Sequence, residues 1–182
     1  MKPDHKPASP FSLNSISGAV LSADQAYRYW LWRIWDRSLP LLVVCMFNPS
    51  TADHRKDDQT IGRCCHFAKA WGYGGILVIN LWALRSSEPS MVRSVDPEDA
   101  WGDAQPQAWA NAIEIARRQE TPILAAWGNL GLEDDFNPFL DAADGVPLIC
   151  LGTTESGMPK HPMARGKHRV PDRQQPIDLV LA

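Results

Sequence analysis

Four short stretches hold the residues that could do chemistry. The first is FNPSTADHRKDD (47–58), in which Asn48 stands directly before a proline and Asp53, Asp57 and Asp58 follow. The second is Asn80, closing ILVIN; the third is the Gly128-Asn129 pair; the fourth is ESGMPKHPMARGKHRVPDR (155–173). An amide offers a donor and an acceptor together, which suits recognition of a flat polar edge, but it cannot take a proton from water. Any base needed beside Asn48 must therefore come from Asp53, Asp57 or Asp58. From Lys160 to Arg173 there are five Lys/Arg and two His against one acid, Asp172. In a chain of net charge −3 that is a local concentration of positive charge, suited to phosphate contacts, which position a backbone without reading its sequence. Each residue also has an ordinary use. Asn48 starts a turn, Asn80 bonds loop backbone, His161 sits on the surface, and Asp57 and Asp58 cap a helix.

These stretches matter because of the elements that end in them. LLVVCMF (41–47) is an apolar run of strand length that breaks at Asn48-Pro49, as a strand covered on both faces does. Runs at 76–84, 122–131 and 146–152 repeat the pattern, the last followed by a Gly/Pro-rich loop to the C-terminus. The aromatic YRYWLWRIW (27–35) reads as a further strand, with Asp36 to Pro40 turning it into 41–47 as a hairpin. Ile61, Cys64, Cys65, Ala68 and Trp71 fall on one face of a helix. That helix starts near Thr60 with Asp57 or Asp58 as N-cap and stops at Gly72. A second helical segment spans 97–118. Strands alternating with helices give a parallel sheet covered on both faces, whose strand ends form the usual ligand crevice.

The bulk numbers set the class. A chain of 182 residues, 45% hydrophobic and 21% charged, suits one domain with one sizeable core. Residues 1–18, rich in Pro and charge, read as a flexible tail before a single domain at 19–182. No stretch reaches the roughly 20 apolar residues of a membrane span, and no signal-peptide core is visible. Cys45, Cys64, Cys65 and Cys150 lack C-x-x-C spacing, which argues against a zinc site and for reduced thiols in a cytoplasmic protein.

The motifs FNPSTAD, the DD-x-T-I helix start, WGYGG, VINL, AAWG and the His161-Pro162 loop resemble a bacterial family known as domain of unknown function 1643, over roughly residues 27–165. More distantly, their order is similar to that of the uracil-DNA glycosylase superfamily. The counterparts are Met46-Phe47-Asn48-Pro49-Ser50, Leu77-Val78-Ile79-Asn80, Ala126-Trp127-Gly128 and His161-Pro162-Met163. The second resemblance implies a base turned out of the stack and an N-glycosidic bond cut by water. On it Asn48 positions the water, Asn80 reads the base edge, and His161 donates to the base oxygen as it gains charge. Phe47 or Trp82 would stack on the base. Ser50, Thr51, Lys160, Arg165, Lys167 and Arg169 would hold phosphates, and Met163 would serve as an apolar wedge.

Two departures stand out. Met163 replaces the serine of the usual His-Pro-Ser, and Ser50-Thr51 replaces a glycine after Asn-Pro. Some branches carry an iron–sulfur cluster on four cysteines, but the spacing here fits no such set, so no metal or cofactor is expected.

The reading is a three-layer α/β/α sandwich with a mainly parallel four-stranded sheet and an N-terminal aromatic strand or hairpin. Its expected activity is hydrolysis of an N-glycosidic bond in DNA by a monomer, and it requires Asn48, Asn80 and His161 to face one pocket. The alternatives are a catalytically silent nucleic-acid-binding module and a hydrolase or transferase of free nucleosides.

Overall fold

The computed structural model describes residues 6–8 and 11–181; of the expected 1–18 tail, residues 1–5, 9 and 10 lie outside the described residues. The elements are β1 (Ser17–Leu21), β2 (Arg28–Ile34), β3 (Leu41–Met46), α1 (Gln59–Ala70), β4 (Gly75–Asn80), α2 (Pro89–Ser94) and α3 (Pro97–Trp101). They continue with α4 (Gln105–Gln119), β5 (Ile123–Ala125), α5 (Glu133–Ala142), β6 (Leu148–Cys150) and β7 (Ile177–Asp178). The fold is α/β, with one seven-stranded mixed sheet in the order β1-β2-β4-β3-β5-β6-β7.

The centre of the sheet is the expected set of four parallel strands, β4-β3-β5-β6. The expectation of four mainly parallel strands is corrected at both flanks. β2 does not form a hairpin with β3; it runs antiparallel beside β4, with Leu31 opposite Val78, and β1 closes the sheet beyond it. The Asp36–Pro40 turn instead carries the chain across the end of β4, where Trp35 and Asp36 both donate to the Gly74 carbonyl. At the other flank β7 pairs antiparallel with β6, in a segment expected to be loop alone.

Every residue of β3 and β4 is buried, because each face of the sheet has its own core. Val43 and Cys45 face a cluster holding Trp109, Ile113, Phe136 and Phe139 of α4 and α5. Leu42, Val44 and Met46 face Ile61, Cys64 and Phe67 of α1. Alternate side chains of one strand thus feed two cores, which is why its sequence shows no polar alternation. The expected 97–118 helix is two helices, split at Gly102, whose φ of 77° only glycine adopts without strain. Phe11 packs edge-on against Trp30 with ring centroids 5.0 Å apart, so part of the N-terminal segment covers the aromatic strand.

Candidate functional site

The carboxyl ends of β3, β5 and β6 open on one crevice. Its two chambers share Asn48, Pro89 and His161. The larger, about 370 Å³, is walled by Phe47, Trp127, Gly128, Asn129, Leu130 and Arg165, among others. The smaller, about 180 Å³, is polar, lined by Arg28, Ser50, Asp58, Thr60, Ser86 and Ser87 with Asn48 and His161.

Asn48 follows β3 directly. Its Nδ2 donates to the carbonyls of Pro49 and Ser86, each at 3.0 Å. Two carbonyl partners fix the amide's orientation, so what it can offer a ligand is Oδ1, an acceptor. His161 is placed by the loop after β6. Gly128, in the left-handed region at φ 67°, donates its N–H to the Pro159 carbonyl at 2.9 Å, tying the Trp-Gly turn to that loop. The Met163 N–H donates to His161 Nδ1 at 3.1 Å, which puts the proton of the neutral ring on Nε2. Burial pulls its pKa down to about 4, against a smaller opposite pull from Asp58. His161 is therefore a neutral Nε2–H donor throughout the physiological range.

Asp58 is the N-cap of α1, its Oδ1 accepting from the Ile61 N–H at 2.9 Å. It is the one member of the acidic group on a chamber wall. Asp57 pairs with Arg33 at 2.6 Å, away from the crevice. Asp53 closes its own turn by accepting from the Arg55 and Lys56 N–H groups, bonds that hold its carboxyl below the usual range.

The requirement that three residues face one pocket is met for two. Asn80 is 1% exposed and lines neither chamber. Its Oδ1 lies 3.4 Å from an Nη of Arg28, and its Nδ2 is buried without a partner. Arg28, its bonding partner, does line the smaller chamber. Trp82 lies in another groove, edge-on to Trp101 and beside Glu98 and Asp103. Phe47 is a wall of the larger chamber, with the Arg93 guanidinium 4.9 Å from its ring centre.

Of the expected phosphate contacts, Ser50 lines the smaller chamber and Arg165 the larger. Arg165, Met163 and Arg169 continue into a neighbouring groove of about 370 Å³ with Arg63 and Asp172, which are paired to each other. Lys167 is bonded to Glu155 at 2.5 Å; Thr51 and Lys160 line neither chamber nor that groove.

Sequence reasoning missed Arg28, 2% exposed. It donates to the Ala52 carbonyl at 3.0 Å, and its Nε has no partner among the described residues. Burial brings its pKa down to about 10, with Asp58 opposing and Arg85 and Arg33 adding to the fall. A charge heading a strand otherwise rich in aromatic and aliphatic residues was the available signal. The 86–95 segment was missed as well. There Arg93 bonds both carboxylate oxygens of buried Asp135 and the Leu130 carbonyl, fastening α2 over Phe47 and across to α5.

Neither a comparison with curated proteins nor one with solved structures yields a match. Residues 28–163, about three quarters of the 182, match the family described as protein of unknown function (DUF1643). The chain belongs to that family.

Proposed function

We propose that this crevice takes a nucleobase turned out of a nucleic-acid strand, DNA being favoured, and hydrolyses its N-glycosidic bond. One observation carries the reading. Asn48 and His161, over 100 residues apart, share both chambers, one as a fixed acceptor and the other as a neutral donor. The base would lie against Phe47 and Trp127 in the larger chamber. As the C–N bond breaks, its electron pair moves to the base, and His161 Nε2–H stabilises the oxygen that gains charge. Water adds to the sugar carbon from the polar side. Asn48 Oδ1 holds it, and Asp58, through the carboxylate oxygen not used in capping, takes its proton. Asn80 is assigned to supporting Arg28 rather than to reading the base. The groove of Met163, Arg165 and Arg169 would follow the strand.

A second reading is a catalytically silent module that binds nucleic acid in the same crevice. The withdrawal of Asn80 and the use of Asp58 as a helix cap favour it. The deciding experiment incubates the protein with oligonucleotides carrying uracil, other deaminated bases and modified pyrimidines, scoring abasic sites. Hydrolysis should fall by about two orders of magnitude in Asn48→Ala and in His161→Ala. Intact binding that weakens steeply with salt, with no abasic product on any substrate, leaves the silent module. Salt-insensitive turnover of free nucleosides would displace both.

A further inference from the structure

The smaller chamber contains a charge that the reaction outlined above does not use. Arg28 is 2% exposed, yet none of the ion pairs among the described residues includes it. Its hydrogen bonds run to two neutral oxygens, the Ala52 carbonyl at 3.0 Å and Asn80 Oδ1 at 3.4 Å. They use two of five donor hydrogens, and Nε–H is without a partner. A guanidinium stays charged in proteins, and a buried charge is ordinarily paired or bound to something.

The groups around it decide the sign of that something. Asp58 lies on the chamber wall and His161 is neutral there. Arg85 and Arg33 are near enough to repel Arg28. Arg33 is neutralised by Asp57, whereas the hydrogen bonds of the Arg85 guanidinium among the described residues run to the carbonyls of Ser50 and Gln25. Arg85 also pulls on the Asp53 carboxylate, so it is Arg28, facing Asp58 across the chamber wall, whose charge has no ion-pair partner among the described residues. The wall also includes Thr60 and Ile61 at the start of α1, a 12-residue helix with no acid in its first turn, so the helix adds partial positive charge. Ser50, Thr60 and Ser87 contribute hydroxyls.

We propose that the smaller chamber is an anion subsite in which Arg28 holds one phosphate group, that of the nucleotide whose base occupies the larger chamber. The two chambers meet at Asn48, Pro89 and His161, so a base in one and its phosphate in the other lie on either side of the sugar. The assignment rests on the nucleobase reading for the origin of the phosphate but not for the binding of phosphate itself.

The test therefore begins with inorganic phosphate alone, titrated at constant ionic strength against chloride and followed by calorimetry and thermal unfolding. Saturable binding is expected in the unaltered chain. Arg28→Lys keeps the charge and loses the fork, and should weaken binding by about tenfold. Asp58→Asn keeps a capping oxygen and removes the opposing charge, and should tighten binding by about fivefold. Because Asp58→Asn predicts a gain, a damaged fold cannot imitate it. No phosphate binding beyond the chloride control, or equal binding in all three proteins, overturns the subsite.

Competition then identifies the source. Displacement of phosphate by a 5′-mononucleotide alone points to free nucleotides, and displacement by a single-stranded oligonucleotide points to backbone phosphate. Displacement by neither overturns the assignment to a nucleotide. Arg28-dependent phosphate binding without abasic product would refute the hydrolase and leave the subsite standing. Abasic product without phosphate binding would do the reverse.

Discussion

Asn48 is held by two carbonyl groups, and that sets what replacing it would do. Asn48→Asp puts a carboxylate where Nδ2 now faces Pro49 O and Ser86 O. It loses two donors and gains repulsion, so a stability loss of about 2 kcal/mol is expected in urea denaturation, easing at acid pH as the carboxyl protonates. His161 gives a different pH dependence. The unfolded ring takes a proton near its ordinary 6.5, while the folded ring resists until about 4. Stability should therefore fall as pH drops through that window, by up to about 3 kcal/mol, and be indifferent to this group above pH 7. Unfolding midpoints from pH 4 to 7.5 check this, and His161→Ala should flatten that limb. Asn48 stood out as a candidate because it stands before a proline at the end of an apolar run, and His161 because it stands before a proline in the basic loop that follows the last such run. Asn80 was equally legible and is placed differently, since nothing in VINL says that its amide will be buried against an arginine from another strand.

At the scale of elements, local signals carried furthest where a short-range bond decides the outcome. The Asp58 cap, the stop of α1 at Gly72 (φ 84°) and the buried face of α1 all follow from neighbouring residues. What sequence could not supply were bonds between distant segments. Arg93 and Asp135 are 42 positions apart, and neither stands in a motif. Their bidentate pair joins α2 to α5, and Asp135 also accepts from the Leu132 N–H at 2.6 Å. Arg93→Ala would leave the Asp135 carboxylate buried with that single partner and bare the Phe47 ring. A loss of about 3 kcal/mol is expected, measured by urea denaturation, with Arg93→Lys recovering part of it. If α2 is fastened as described, amide exchange in residues 86–95 should quicken in Arg93→Ala while β3 and β4 stay protected.

For the whole molecule, the parallel centre of the sheet was readable from four apolar runs, because strands buried on both faces advertise themselves. The flanks were not. β2 looks like a hairpin partner of β3 on sequence proximity, but β4 offers it an unpaired edge lined by Ile76 and Val78, and the 36–40 turn is long enough to reach it. β7 was missed for a different reason: it has only two residues, both exposed, too short a strand to read from sequence. That small strand is nonetheless what lies between β6 and solvent. β6 is three residues long and would otherwise present a row of free N–H and C=O groups at the sheet's rim. β7 covers that row and places Asp178, a charge, outermost. A chain cut after Gln175 would uncover a sticky margin, so light scattering should show association that grows with concentration, although every residue that lines the crevice is kept. The last few residues thus act as a guard against self-recruitment by the sheet, a task quite separate from any chemistry at its strand ends.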